Sequence, residues 1–161
     1  MTDSHSLQNL IIRNLRPGDI AAVTRIDSLS SGFQRNRYFE RKFKRIFGED
    51  AHLLISLAAE MNGKVIGYIM GEANTGEYGI PEPVASVDTI GVDTDSRRLG
   101  IGRILLEDFC ALAAKAGVEL MTTLVSEEDP ELIAFFKRHE FKQARMVALD
   151  RPLSPSGSGG R

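Results

Sequence analysis

Apolar positions along this chain recur with two periods, and their order sets out the elements. Residues 10–15 (LIIRNL) form a short β-type run that stops at Arg16-Pro17-Gly18. Asp19 then stands where a helix cap belongs, ahead of Ile20, Val23 and Ile26 at helical spacing. From Phe33 to Phe47 the chain is basic and aromatic, and Phe39, Phe43 and Phe47 recur every four residues. That spacing predicts one buried face of an amphipathic helix, with the Arg and Lys side chains turned outward. Residues 52–59 and 64–73 read as two strands around Asn62-Gly63, a pair that favours the positive-φ turn of a tight hairpin. After a Gly/Pro-rich connection at 74–83, residues 84–92 read as a further strand and 93–99 as a polar loop. The helix that follows, from about 100 to 116, carries a stripe of Ile101, Ile104, Leu105, Leu112 and Ala116 and is closed by Gly117. Residues 118–125 form the next strand, Asp129-Pro130 opens a helix from 131 to about 139, and 141–149 alternates as a final strand. The order β-α-α-β-β-β-α-β-α-β predicts an α/β architecture with a mixed sheet.

Composition narrows this picture. The 161 residues suit a single domain, placed at 9–151 between polar tails at 1–8 and 152–161. With 42% apolar and 26% charged residues the chain is of ordinary globular type, neither collagen-like nor low in core-forming residues. Twenty Lys and Arg against 22 Asp and Glu give a net charge of −2, which argues against a protein devoted to binding polyanions. A local basic run remains at Arg35, Arg37, Arg41, Lys42, Lys44 and Arg45, read as a solvated helix face with nucleic-acid contact as the alternative. The start of the sequence lacks a basic, apolar leader pattern, and no run of about 18 apolar residues occurs, so a cytoplasmic protein without membrane spans is expected. The single cysteine, Cys110, fits a reducing compartment and reads as a structural thiol. His5, His52 and His139 lack metal-ligand spacing, so no metal site is expected.

The informative stretch is residues 88–105, DTIGVDTDSRRLGIGRIL. It sets Arg97, Arg98, Leu99, Gly100, Ile101, Gly102 and Arg103 between a strand and the first turn of a helix, where free backbone N–H groups and the positive end of the helix dipole converge. Such a turn binds anions, and the absence of Cβ atoms at Gly100 and Gly102 lets a pyrophosphate approach the main chain. A P-loop is excluded because Gly102 is followed by Arg103-Ile104, and a dinucleotide fingerprint because position 105 is Leu105. Tight helix packing is the alternative meaning of the two glycines.

The segment resembles motif A of the GCN5-related N-acetyltransferases (GNAT family) through Val92, Arg97, Gly100 and Gly102. Residues 129–136 (DPELIAFF) followed by Phe141 are similar to the family's motif B. The resemblance implies a mixed, mostly antiparallel sheet with a V-shaped splay between two central parallel strands, flanked by helices. It further implies acetyl-CoA as cosubstrate. The pantetheine arm would lie along Ile90, Gly91 and Val92 like an added strand, with the pyrophosphate on the amides of 98–103 and a further contact from Asp129. Relatives commonly have Asn at that position. Family folds of this kind often pair as dimers, and the region bordering the acceptor pocket corresponds to residues 31–38.

Acetyl transfer to an amine needs a base for the ammonium proton and a donor for the developing oxyanion. Asp88 is the candidate base, since strand alternation puts it on the same face as Ile90, and a backbone N–H near Ile90 is the candidate donor. Glu72, Glu77 and Glu82 are rival bases, and a structural role for Asp88 is the plain alternative. The family's usual general acid, a Tyr, falls at Phe136 here, which leaves that role empty. Glu140 stands where relatives commonly have Gly, and a left-handed turn there would be strained for Glu. The expected function is direct acetyl transfer from acetyl-CoA to a primary amine of unidentified acceptor. The rival functions are an acyl-CoA sensor without turnover, favoured by Phe136, and a nucleic-acid binder using the 35–45 run.

Overall fold

The structure is a computed structural model, and it describes residues 7–48 and 54–153. The tails at 1–6 and 154–161, His5, and the predicted strand start at His52 lie outside the described residues. Contacts divide the chain into two compact units, residues 1–124 and 125–161, and the domain expected at 9–151 spans parts of both.

The first unit is built on five strands in the order β1 (Leu10–Asn14), β2 (Leu54–Met61), β3 (Lys64–Asn74), β4 (Val84–Val92) and β5 (Leu120–Thr123). All pairs are antiparallel except β4 with β5, which is parallel, as a mixed and mostly antiparallel sheet requires. The β2–β3 hairpin turns at Asn62 (φ 53) and Gly63 (φ 76), the two successive positive φ values that the dipeptide predicts.

Two helices, α1 (Ile20–Ser31) and α2 (Asn36–Ile46), lie on one face of this sheet. Val23 and Ile26 of α1 and Phe39 and Phe43 of α2 join Leu15, Ala58, Val65, Tyr68 and Met70 in one core. The four-residue aromatic spacing thus buries Phe39 and Phe43, while Phe47 falls just past the helix and is 41% exposed against the Phe43 ring. Asp19 precedes α1 but does not cap it through its side chain. Its carboxylate instead accepts from the Arg16 N–H at 2.7 Å and from the Arg13 guanidinium of β1 at 2.8 and 2.9 Å. Arg13 also donates to Glu60 of β2 at 2.7 Å, so one guanidinium joins β1, β2 and the entry to α1.

Helix α3 (Ile101–Lys115) covers the opposite face. Its buried stripe is Ile101, Leu105, Leu106, Phe109 and Ala113. Leu112 and Ala116, expected in that stripe, are exposed, because at 3.6 residues per turn the seam beginning at Ile101 runs through 105 and 109 to 113.

The second unit contains α4 (Pro130–Arg138), begun by Asp129, whose Oδ1 accepts from the Leu132 N–H at 3.0 Å. The chain leaves the helix through Glu140 in the left-handed region (φ 69), with the Phe141 N–H bonded to the Phe136 carbonyl at 3.1 Å. The Phe136 and Phe141 rings meet at 5.0 Å, completing a Schellman-type exit. The final strand expected at 141–149 does not form. A strand needs a neighbour to pair with, and within this unit the described residues contain no other strand; Met146, Val147 and Leu149 stand exposed.

Because Glu140 bears a Cβ in a left-handed conformation, Glu140→Gly should stabilise the protein by about 1 kcal/mol, seen as a raised denaturant midpoint with unchanged slope. A lowered midpoint would show that the Glu side chain contributes more than its strain costs.

Candidate functional site

The pairing of β4 is what opens a site. On one side β3 follows it along its whole length; on the other, β5 pairs only from Val84↔Leu120 to Val87↔Thr123. The Thr123 hydroxyl donates to the Val87 carbonyl at 2.9 Å and pins the point where the pairing stops. Beyond it, residues 88–92 have no strand partner on the β5 side among the described residues. Because backbone groups of successive residues point to alternate sides and the Asp93 N–H points to β3, the N–H and C=O groups of Ile90 and Val92, on either side of Gly91, line a strand edge of the kind that an extended ligand can join.

At the same point β4 is bulged. Thr89 pairs with Met70 and Val87 with Gly71, so Asp88 is an extra residue without a partner on β3. The expectation that Asp88 shares a face with Ile90 is overturned by this bulge, since simple alternation fails where a residue is inserted. Ile90 pairs with Ile69, whereas the Asp88 carboxylate turns to the α2 face. There its Oδ2 accepts from the Lys42 ammonium, and its Oδ1 accepts from the Ser86 hydroxyl at 3.0 Å. Of the rival carboxylates, Glu72 pairs with Arg45 of α2 at 2.8 Å, Glu82 is exposed in the β3–β4 connection, and Glu77 lies in the turn Glu77–Gly79.

The cations of the 35–45 run do not all face outward. Lys42 is drawn in against Asp88; Arg45 and Arg35, themselves exposed, reach Glu72 and Asp27, while Arg37, Arg41 and Lys44 are exposed without an ion pair among the described residues. The reason is geometric: residues 42 and 45 flank Phe43 on the turn that α2 lays against the sheet. Asp27 is buried and also receives the Tyr68 hydroxyl at 3.4 Å, which lies 3.2 Å from Thr89 Oγ1. Burial pushes the Tyr68 phenol well above its ordinary range, outweighing its bond with Thr89, so it stays protonated as a link between α1 and β4. Gly91 faces the same ring; a Cβ there would stand 2.7 Å from Tyr68 Cε1.

Below β4 the chain turns through residues 93–100 into α3. Asp93 organises the turn from a buried position: its carboxylate accepts from Arg25 at 2.8 Å and from the Asp95 N–H at 3.3 Å, and Lys64 lies at 3.8 Å. Burial alone would raise this carboxyl, yet the Arg25 bond, the Asp95 amide and the charges of Arg25 and Lys64 together hold it below the usual carboxylate range. Arg97 donates to Ser30 Oγ of α1 at 2.6 Å, which ties the turn to the opposite helix. Arg98 adopts φ 69 and Gly100 φ 77, two left-handed residues at the mouth of α3.

No side chain caps α3, since its N-cap is Gly100. The amides at Ile101, Gly102 and Arg103 are thus the open N-terminal donors of a fifteen-residue helix. Space beside Gly100 is clear to 4 Å, and Arg98 is exposed on the same turn, with Leu99 half-buried between them. Arg103 is also exposed and lies 3.8 Å from Glu107. Asp129 in the second unit has one oxygen engaged as the α4 cap, and Phe136 is buried in that unit with its ring against Phe135 and Phe141. Cys110 is half-buried, and burial, with the Glu107 charge, pushes its thiol up, which suits a structural residue better than a nucleophile.

A mixed sheet opened along one strand edge, with an uncapped helix start at the end of that opening, is the arrangement that the first unit presents. The family follows: the model of the GNAT acetyltransferase family matches residues 20–141, and the chain belongs to that family. An uncharacterized N-acetyltransferase of Methanocaldococcus jannaschii is 28% identical over 123 residues, covering 72% of this chain and 53% of the relative, so the chain spans about half that relative's length. Among solved structures, an aminoglycoside acetyltransferase from an uncultured soil metagenomic sample, in complex with sisomicin, superposes with a TM-score of 0.71 at 18% identity, covering 90% of this chain and 97% of its own. The aminoglycoside N-acetyltransferase AAC(6')-Iy in complex with CoA gives 0.74 at 16% identity, over 89% and 94%. These likenesses show the fold. Among the described residues no helix is long and apolar enough to cross a membrane.

The Asp93 carboxyl titrates below its unfolded value of about 3.9, so the folded state binds fewer protons in acid. Its contribution to stability is complete above that unfolded value and disappears as pH falls through the lower folded one. Asp93→Asn should therefore cost about 1–2 kcal/mol at pH 7 and make the loss of stability below about pH 4 shallower, measured by urea unfolding across pH. An acid limb as steep as in the parent would remove Asp93 from that role.

Proposed function

We propose that this protein is an acetyl-CoA-dependent N-acetyltransferase that moves the acetyl group directly to a primary amine. One observation carries the reading: the free β4 edge at 88–92 leads into the uncapped N-terminus of α3, so one extended ligand with a diphosphate satisfies both sets of open amides. In this reading Ile90 and Val92, on either side of Gly91, bond the pantetheine arm, and the amides and cations from Arg97 to Arg103 hold the diphosphate. The CoA complex of AAC(6')-Iy, a protein of the same fold, supports the choice of cosubstrate.

The chain's own groups then divide the chemistry. Asp88 takes the proton from the acceptor ammonium, and the N–H near Ile90 donates to the thioester oxygen as negative charge develops there. With Phe136 in the position where relatives have Tyr, the sulfur leaves as thiolate. A thiol resembling cysteine, with a pKa of about 8.5, is a tolerable leaving group without a dedicated acid. Residues 31–38, which run from the end of α1 through the connection into the first turn of α2, contribute to acceptor choice. We place the reaction in the cytoplasm, with Cys110 kept as the thiol. The acceptor class is a primary amine; the aminoglycoside named for two structural neighbours is one member to try.

The second reading is an acyl-CoA sensor that binds without turnover, and Phe136 is the residue that favours it. Thiol release from acetyl-CoA across a panel of small amines, aminoglycosides and lysine peptides separates the two. Release with any member establishes the transferase; calorimetric binding without release across the panel establishes the sensor.

Gly100→Glu should abolish acetyl-CoA binding measured by calorimetry, whereas Gly100→Ala, which adds only the left-handed strain of about 1–2 kcal/mol, should leave measurable affinity. Equal binding by both variants and the parent would remove the diphosphate from this turn. Asp88→Asn should lower kcat by about 100-fold or more with acetyl-CoA affinity unchanged. Undiminished turnover would leave Asp88 as a structural partner of Lys42.

A further inference from the structure

The residue beside the candidate base is itself a primary amine. Lys42 belongs to α2, whose buried Phe39 and Phe43 fix the helix against the sheet and so bring residue 42 over the bulge in β4. Its ammonium contacts Asp88 Oδ2, its side chain is only 20% exposed, and the Tyr38 ring lies 5.6 Å from Nζ. Ser86 holds the other Asp88 oxygen. The pocket beneath has a volume of about 10 Å³ and is lined by Lys42, Arg45, Ser56, Glu72 and Asp88, with the buried Ser56 hydroxyl lacking a hydrogen-bond partner among the described residues. That is room for roughly one water, so on this side Lys42 is the amine that stands against Asp88. The bulge also marks where the β4–β5 pairing stops. An arm that starts at the α3 N-terminus and follows the free edge from Val92 toward Val87 brings its far end to this point.

We propose that Lys42 is a self-acetylation site, taking the acetyl group from acetyl-CoA when no acceptor amine displaces it from Asp88. The inference rests on the reading of acetyl-CoA along β4 given above. Asp88 receives one proton from the Lys42 ammonium, and the freed nitrogen pair forms a bond to the thioester carbonyl carbon. Collapse breaks the C–S bond, the electron pair leaves on sulfur, and the thiolate takes up the second proton lost by nitrogen, giving CoA thiol. Asp88 passes the first proton to solvent. The product is a neutral amide, which is no longer an activated acyl group, so the mark persists and is not an intermediate in transfer to other amines. It also removes the cation from Asp88 and frees that carboxylate.

The test incubates the purified full chain with acetyl-CoA and no added amine, then follows each lysine by peptide mass spectrometry over time. Lys42 should gain one acetyl group at least about tenfold faster than Lys44, its exposed neighbour on the same helix. Heat-unfolded protein should lose that preference, and Lys42→Arg should abolish the acceptor-independent release of CoA thiol. Calorimetry on the same sample separates the two levels of argument. If acetyl-CoA binds and Lys42 is modified no faster than Lys44, self-acetylation is overturned while the acetyl-CoA site along β4 stands. If acetyl-CoA does not bind, the reading of that site fails and the modification with it.

Discussion

The site depends on where β5 lets go of β4. Four residue pairs join the two strands, the Thr123 hydroxyl closes the last of them, and the following β4 groups are left with a partner on one side only. Main-chain donors and acceptors left in this way favour a ligand that can complete them, because an unmatched polar group near a core costs free energy. The bulge at Asp88 stands at the same boundary, where it breaks the pleat and turns one carboxylate toward α2. Opening and bulge together convert an ordinary central strand into one with a usable edge and a polar group at its closed end.

Two further devices keep that edge in position. Asp93, just beyond β4, binds Arg25 of α1 and the amide of Asp95, and its own N–H donates to the Ile66 carbonyl of β3 at 2.7 Å. Arg97 reaches Ser30, so the turn that begins α3 is held from the far side of the sheet as well. On that same face, the buried Asp27 of α1 joins Arg35, Tyr68 and, through Tyr68, Thr89. A buried carboxylate needs such company, since isolated it would carry a large desolvation cost. These contacts make the loop and helix α1 one structure, which is the condition for a turn whose amides must hold a fixed direction.

Helix α2 has a different relation to the site. The run from Arg35 to Arg45 reads in sequence as a solvated basic face, yet Arg35, Lys42 and Arg45 each meet a carboxylate, two of them on β3 and β4. Half of the run's apparent surplus of positive charge is matched within the molecule. This weakens its use for binding nucleic acid, which relies on cations free to meet phosphates. It also places an amine and a guanidinium over the acidic floor beside β4.

Local signals in the sequence determined most of the elements. Asn62-Gly63 dictated the hairpin because both residues tolerate positive φ, the Phe39–Phe43 spacing dictated the inner face of α2, and Gly100 dictated an uncapped helix start. The run at 141–149 misled for the complementary reason: alternation states which residues would share a face, and says nothing of whether a strand is available to pair with them. The inserted residue at Asp88 and its meeting with Lys42, the pairing of Arg45 with Glu72, and the burial of Asp93 against Arg25 joined residues 27 to 68 positions apart. No local periodicity encodes such meetings, because they follow from how α1 and α2 pack across the sheet. The sequence alone determined which segments curl, extend or turn and where an anion would find open amides; tertiary packing decided which strand edge stays open and which charges face it, since only folded geometry sets distances between distant residues.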